Sequence, residues 1–351
     1  MGVDATAPDG PSAPIACQPR TGQRHDRKVT DLRWAPPTRA DDAEWAGLLA
    51  AIEAADGFGE AYGPEELDAE WASVWARPET DAVFLWDGPA LVAFGWLRCQ
   101  LGGADGHRID LWGGVHPDRR REGIGAALLR WQVDRARAIA GALDDPDGTS
   151  IRLTARADHD DRLALAARFG FRPLRRFHEV ARPAAGPLPP AAPVPGLALR
   201  WWGDDLDGPT RAAHAEAFAA HWGEEPRTEA EWRQWYTGHR GFRPDLSAVA
   251  VDDGGTVAAF VLTAAYPRDW AVGAAPVEAW ITSVGTRPAW RRRGAGRWLL
   301  TEVLGAIATS STGFERAILG VDAENPTGAP ALYEALGFRP VRTVLTLAVS
   351  G

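Results

Sequence analysis

Cysteine is nearly absent from this chain: Cys17 and Cys99 are the two among 351 residues. Two thiols cannot build a disulfide framework, so a reducing, cytoplasmic setting is expected. No apolar run reaches the roughly 18 residues a membrane-crossing helix needs. Met1 to Lys28 is rich in Pro, Asp and Arg and lacks the apolar stretch of an export signal, so residues 1–28 are expected to be a disordered tail. A basic excess is missing too. The net charge is −9, which argues against general nucleic-acid binding, where cations must neutralise phosphates. There is no H-E-x-x-H, no Cys/His cluster at zinc spacing and no nucleophile elbow. No metal is therefore expected. A lysine-bearing phosphate loop and a full G-x-G-x-x-G followed by its acidic residue are also missing, so nucleotide hydrolysis and dinucleotide redox chemistry fit poorly.

What is present is an ordinary globular balance, 45% hydrophobic and 24% charged, with length for about two domains of roughly 150 residues each. Tryptophan is over-used, 17 against 4 tyrosines, and these rings are expected as core filler and interface anchors. The chain repeats itself. Leu32-Arg33-Trp34 recurs as Leu199-Arg200-Trp201 and Gly170-Phe171-Arg172-Pro173 as Gly337-Phe338-Arg339-Pro340, both 167 residues apart. Arg120-Arg121-Glu122-Gly123-Ile124-Gly125 matches Arg291-Arg292-Arg293-Gly294-Ala295-Gly296 at 171. A period this long marks a duplicated domain rather than a solenoid. Between the copies runs RPAAGPLPPAAPVPG, residues 182–196, a proline-rich linker. The expected units are 29–181 and 197–351.

Within each copy helices and strands alternate, giving a mixed α/β class. Asp42–Asp56 and Pro209–Trp222 read as helices. Ala82–Trp86 with Ala90–Arg98, and Ala248–Val251 with Thr256–Ala264, read as hairpins. Arg108–Val115 and Trp280–Thr286 are strands leading into the arginine-glycine loops. Ala295, Leu299, Leu300, Val303, Leu304 and Ile307 then share one helical face. A strand, a helix and a final strand close each copy.

A strand ending in Arg-x-x-Gly-x-Gly and opening a helix offers unpaired N–H groups at the positive end of the helix dipole, a place that binds pyrophosphate. One Gly-x-Gly is a weak signal; two copies in the same strand-to-helix setting are a stronger one. Val115-His116-Pro117 followed by RRREGIG, and WITSVGTRPAWRRRGAG from Trp280, resemble the acetyl-coenzyme A signature of the GNAT N-acetyltransferase superfamily. Asn325-Pro326-Thr327-Gly328, Ala331-Leu332-Tyr333-Glu334 and Leu336-Gly337-Phe338 resemble its second motif. The resemblance extends over both copies, as in mycothiol synthase and other tandem acetyltransferases of actinobacteria, and it implies two mostly antiparallel mixed sheets flanked by helices. It also implies acetyl-coenzyme A as co-substrate. In the second copy, Arg291, Arg292, Arg293, Gly294, Ala295, Gly296 and Arg297 would hold its pyrophosphate through backbone amides and charge. Val284, Gly285 and Thr286 would line the pantetheine arm with Asn325 beside it, and Tyr333 would protonate the departing thiolate. In the first copy the corresponding loop is Val115, Arg120, Arg121, Glu122, Gly123, Ile124 and Gly125.

The copies are unequal. The 167-residue offset sets Asp158 opposite Asn325 and Ala166 opposite Tyr333, so the second copy is expected to carry catalysis. The family's carboxylate position on the preceding strand is Trp280; Glu278, two residues upstream and on the same face, is the candidate base. Glu224 and Glu225 are candidates for meeting a cationic amine, and His214 and His221 share a helical face at i, i+7. The expected reaction is acetyl transfer to the primary amine of a small molecule. Alternatives are a cysteinyl conjugate as in mycothiol synthesis, a protein amine, or acyl-coenzyme A binding without turnover. No residue points to an oligomeric state.

Overall fold

The computed structural model describes residues 29–58, 62–103, 106–145, 148–219, 221–223, 226–265, 277–325 and 328–351. The expected tail with Cys17, and Glu224 and Glu225, lie outside these. The first copy runs β1 (Arg33–Ala35), α1 (Asp42–Asp56), α2 (Pro64–Trp71), α3 (Pro78–Asp81), β2 (Ala82–Asp87), β3 (Ala90–Gly103), β4 (Gly106–Val115), α4 (Ile124–Ala140), β5 (Thr149–Arg156), α5 (Asp160–Arg168) and β6 (Arg172–Pro183). The second follows as β7 (Leu197–Trp201), α6 (Asp207–Phe218), α7 (Glu229–Trp232), β8 (Ala248–Asp252), β9 (Val257–Ala264), β10 (Glu278–Thr286), α8 (Ala295–Thr309), β11 (Arg316–Asp322), α9 (Ala329–Ala335) and β12 (Arg339–Ser350).

Local sequence explains most of these elements. α1 begins with Asp42 and Glu44 in its first turn, favourable at the positive end of the dipole, and stops where Gly57 turns left-handed. The periodic face of α8 is buried as its spacing predicts, with Trp298 added to it. β9 is apolar but for Thr263 and fully buried because a neighbouring strand lies on each side and helices pack on its faces. The predicted helix Pro209–Trp222 is shorter in the structure: α6 ends at Phe218. The proline-rich segment is docked rather than free. Its first residues, Arg182 and Pro183, finish β6, and Ala184 and Val194 are buried in the second copy's core.

Among the described residues the strands form one twelve-stranded sheet in the order β1-β2-β3-β4-β5-β12-β6-β11-β10-β9-β8-β7. Replacing each strand by its repeat counterpart returns the same order read from the other edge, so the sheet has an internal pseudo-twofold. At its centre the copies exchange their last strands. β12 pairs antiparallel with β5 of the first copy (Leu345↔Ala155), β6 pairs with β11 of the second (Leu319↔Val180), and β6 and β12 pair with each other. Side chains seal this seam. Arg175 binds Asp322 at 2.7 Å and Glu324 at 2.6 Å, and Arg342 binds Glu179 at 2.6 Å.

Candidate active site

In each copy two parallel strands pair at one end and then part. β4 and β5 are in register from His107↔Thr149 to Leu111↔Leu153; β10 and β11 from Glu278↔Arg316 to Trp280↔Ile318. Beyond these points no strand pairs with the edges Trp112–Val115 and Ile281–Thr286 on that side among the described residues, and each faces a wedge suited to an extended ligand that bonds to a strand edge. In β10 a register shift against β9 between Ile281 and Ser283 bends the strand, as an extra residue in one strand does. Gly285 is needed there for space, because a Cβ would come within 2.2 Å of Phe260 Cζ.

At the mouth of each wedge stands an arginine-glycine loop. Arg121 and Arg292 have φ of 68° and 62°, and Gly123 and Gly294 have 85° and 88°. Left-handed φ is costly for an arginine, and its recurrence at equivalent positions turns successive amides toward a common point. A Cβ at Gly294 would meet nothing within 4 Å, so conformation rather than space demands glycine. The concavity sits at the N-terminus of α4 or α8, where free N–H groups and the dipole favour an oxyanion. Ile124 and Ala295, the first residues of these helices, bury their side chains and offer only their amides. Arg120 and Arg291 turn back: each Nε donates to the carbonyl ending the preceding strand, Val115 or Thr286, at 3.2 Å.

Electrostatics separates the loops. In the first copy Arg120 is held by both oxygens of Asp56 at 2.7 and 3.0 Å, Arg121 meets Asp161 at 2.6 Å, and Glu122 binds Arg119 at 2.9 Å. In the second, Arg291 donates to the Ala217 carbonyl at 2.7 Å, and Arg293 stacks on Trp290 at 4.9 Å. No carboxylate pairs with Arg291, Arg292, Arg293 or Arg297 among the described residues.

Tyr333 lies on α9, 8% exposed, its ring 6.0 Å from that of Phe338. Burial pushes its phenol up to about 12, which keeps it protonated. Ala166 occupies the same backbone place: Phe171 N–H donates to its carbonyl at 3.1 Å, as Phe338 N–H does to that of Tyr333 at 3.0 Å. Asn325 is half-buried just after β11, with its N–H on the Asp322 carbonyl at 3.1 Å. Burial alternates along β10 and sets Glu278, Trp280, Thr282, Val284 and Thr286 on one face. Glu278 sits where the wedge is closed. It accepts from Arg316 Nε at 2.5 Å and from Trp280 Nε1 at 3.0 Å.

The two histidines do not share a helical face, because α6 ends before His221. His214 is buried, stacked on Phe218 at 4.4 Å and enclosed by Trp232, Tyr236 and Phe260. Desolvation pulls its pKa to about 3, with Arg227 and His221 adding to the shift. It is therefore neutral packing at pH 7. Its unfolded-state pKa is near 6.5, so the unfolded chain takes up a proton that the folded chain refuses. This contribution to stability is complete above pH 6.5 and is lost as pH falls toward 3, by up to about 1.4 kcal/mol per unit. His214→Phe is expected to show a shallower acid loss of stability between pH 6.5 and 4 in denaturant melts. Equal slopes would refute this.

Two cavities border the first copy and share the lining residues Leu111, Gly113 and Leu153. One, about 820 Å³, fills the wedge between the loop of Arg120–Gly125 and α5 and reaches Ala166. The other, about 470 Å³, is lined by Arg98, Arg108, Asp110, Trp112 and Arg152 together with His221, Trp222 and Gly223 of the second copy. Sequence reasoning missed this charged group. Its signal was the alternation Arg108, Asp110, Trp112 against apolar Ile109 and Leu111, which puts charge on the inner half of a central strand.

The acetyltransferase (GNAT) family model matches residues 209–338. A mycothiol acetyltransferase of Salinispora arenicola is 33% identical over 230 residues, covering 64% of this chain and 67% of its own. One from Nocardioides sp. is 30% identical over 306 residues, covering 85% and 95%. The crystal structure of a GCN5-related N-acetyltransferase from Sphaerobacter thermophilus superposes with TM-score 0.68 at 25% identity, over 91% of this chain and 95% of that one. A tandem GNAT protein from the clavulanic acid biosynthesis pathway gives 0.65 at 20% identity, over 91% and 99%.

Proposed function

The chain belongs to the acetyltransferase (GNAT) family and is an acyltransferase; from that premise we propose that its second copy moves acetyl from acetyl-coenzyme A to the primary amine of a small molecule. The observation that carries this reading is the loop Arg291–Gly296, a left-handed turn of amides at the N-terminus of α8 whose guanidiniums no described carboxylate neutralises. Acetyl-coenzyme A brings an activated thioester and a polyanionic tail that suits this loop. The open edge of β10 at Val284–Thr286 aligns the arm and orients the carbonyl. The amine nitrogen bonds to the acetyl carbon, the C–S bond breaks, and Tyr333 gives its proton to the leaving sulfur. Glu278 is the proposed acceptor of the amine's proton, on the ground that it is the carboxylate on the strand face shared with Val284 and Thr286.

The mycothiol acetyltransferase name carried by relatives at 30–33% identity supports a cysteinyl-amine conjugate as acceptor. In the first copy the phosphate turn is kept while Ala166 stands in the phenol's place, and its proposed role is binding without turnover.

The test uses the full chain in an acetyl-transfer assay that detects released thiol. Arg292→Ala with Arg293→Ala is expected to raise KM for acetyl-coenzyme A about tenfold, since the two solvent-screened contacts to phosphate together contribute about 1.4 kcal/mol. Arg121→Ala is expected to leave turnover unchanged. The reverse pattern would move the chemistry to the first copy.

A further inference from the structure

We propose that the phosphate turn of the first copy carries its own internal competitors, Asp161 and Glu122, which set its affinity for coenzyme A below that of the second copy. This rests on the reading that each arginine-glycine loop receives the pyrophosphate of coenzyme A.

The two turns share their backbone but not their charge. Arg121 with Gly123, and Arg292 with Gly294, are left-handed at matching places. Between each pair stands Glu122 in the first copy and Arg293 in the second, a reversal of sign within the turn itself. The helix that faces the turn differs in the same sense. Asp158-His159-Asp160-Asp161 stands 167 residues before Asn325-Pro326-Thr327-Gly328, so three carboxylates of the first copy match none in the second.

Folding brings these acids to the turn. Arg121 donates to Asp161 at 2.6 Å, and both line the cavity of about 820 Å³ between the loop and α5. Arg119 is held by Glu122 at 2.9 Å and by Asp87 at 2.8 Å. Arg120 is held by Asp56 and the Val115 carbonyl. Each of the three arginines before Gly123 therefore already meets a carboxylate. A phosphate oxygen accepts from a guanidinium as a carboxylate oxygen does, so an incoming pyrophosphate displaces Asp161 from Arg121 and lies beside Glu122. Arg162 and Arg168 of α5 line the same cavity, so the wedge as a whole is not acidic. The difference is local to the turn.

The side chains of Arg121 and Asp161 are 79% and 72% exposed. A pair this exposed contributes little to the fold, and α5 keeps Asp160 in its first turn when Asp161 is replaced. The displaced carboxylate still stays close to the bound phosphates and repels them, as does Glu122. Two like charges beside a pyrophosphate weaken its binding about tenfold. The second copy thus fills first, and the first copy fills when coenzyme A is abundant.

The experiment is calorimetric titration of the full chain with coenzyme A at low and at physiological salt. Two dissociation constants are expected. Asp161→Asn with Glu122→Gln is expected to tighten the weaker one about tenfold and to leave the tighter one alone. That gain should shrink as salt rises, because repulsion between charges is screened and a change of shape is not. Arg293→Glu is expected to weaken the tighter constant at least tenfold and to leave the weaker one alone. Asp161→Asn serves by itself if thermal melts show that the double variant is unfolded. Equal constants in the unmodified protein, or a weaker constant that the folded variant does not move, overturn the proposal and leave the reading of two phosphate loops standing. One molecule bound by the unmodified protein and two by the variant support the proposal. A single molecule bound by both overturns that reading for the first copy, since no ligand then reaches its turn.

Discussion

Tyr333→Phe is expected to lower kcat about a hundredfold or more while leaving KM for acetyl-coenzyme A within a factor of two. A positioned general acid is worth 10²–10⁴ in rate, and the ring that remains still fills its place against Phe338. The melting temperature should hardly move, because only a hydroxyl is removed from a side chain buried within the core of α8, β11 and α9. The phenol titrates at about 12, so its deprotonation contributes no basic limb to the pH–rate profile below about pH 11. Glu278→Gln in the same assay is expected to lower kcat about a hundredfold. An unchanged kcat would make Glu278 a clamp between β10 and β11 and no more. If Tyr333→Phe kept full activity while disruption of Arg120–Gly125 abolished it, the two copies would exchange roles.

Asp322→Ala is expected to destabilise the whole molecule by about 3 kcal/mol, seen as a fall of roughly 5–10 °C in scanning calorimetry. The carboxylate is 1% exposed and Arg175 16%, so its removal strands a mostly buried guanidinium at the centre of the sheet. Glu324, still 2.6 Å from Arg175 but 62% exposed, compensates only in part, since an exposed carboxylate is screened by water. Because β6 lies between β11 and β12, both copies should loosen together in one transition. Asp322→Leu combined with Arg175→Met is expected to recover most of the loss, as apolar replacement of both partners avoids an orphaned charge. Two separate transitions in the single variant would contradict the seam's role.

Much of the fold was readable from local pattern. α1 was delimited to the residue because acidic groups open it and a left-handed glycine closes it. The apolar stripe of α8 and the strands leading into the loops followed from their spacing. The turn of amides was legible as well, since two glycines after a strand and before a helix leave little other geometry. α6 was overextended to Trp222 because its apolar spacing runs on past the point where the backbone turns.

Sequence by itself determined that this protein is a duplicated α/β acyltransferase with two arginine-glycine loops and with Tyr333 in one copy where the other has Ala166, because these features depend on residue identity and short spacing. Tertiary structure alone decided which copy completes which sheet. β6 and β12 carry the same Gly-Phe-Arg-Pro entry and equal claims on β5 or β11, so the repeat cannot choose between them. The choice has a charge reason. On β11 and just beyond it, Arg175 meets Asp322 and Glu324; on β5 of its own copy the place of Asp322 is held by Arg156, which faces Val344, the repeat counterpart of Phe177. Tertiary structure also gave the arginines their separate uses. Similar residues on matching loops face carboxylates in the first copy and none among the described residues of the second, because Asp56 and Asp161 reach the first loop only when α1 and α5 pack beside it.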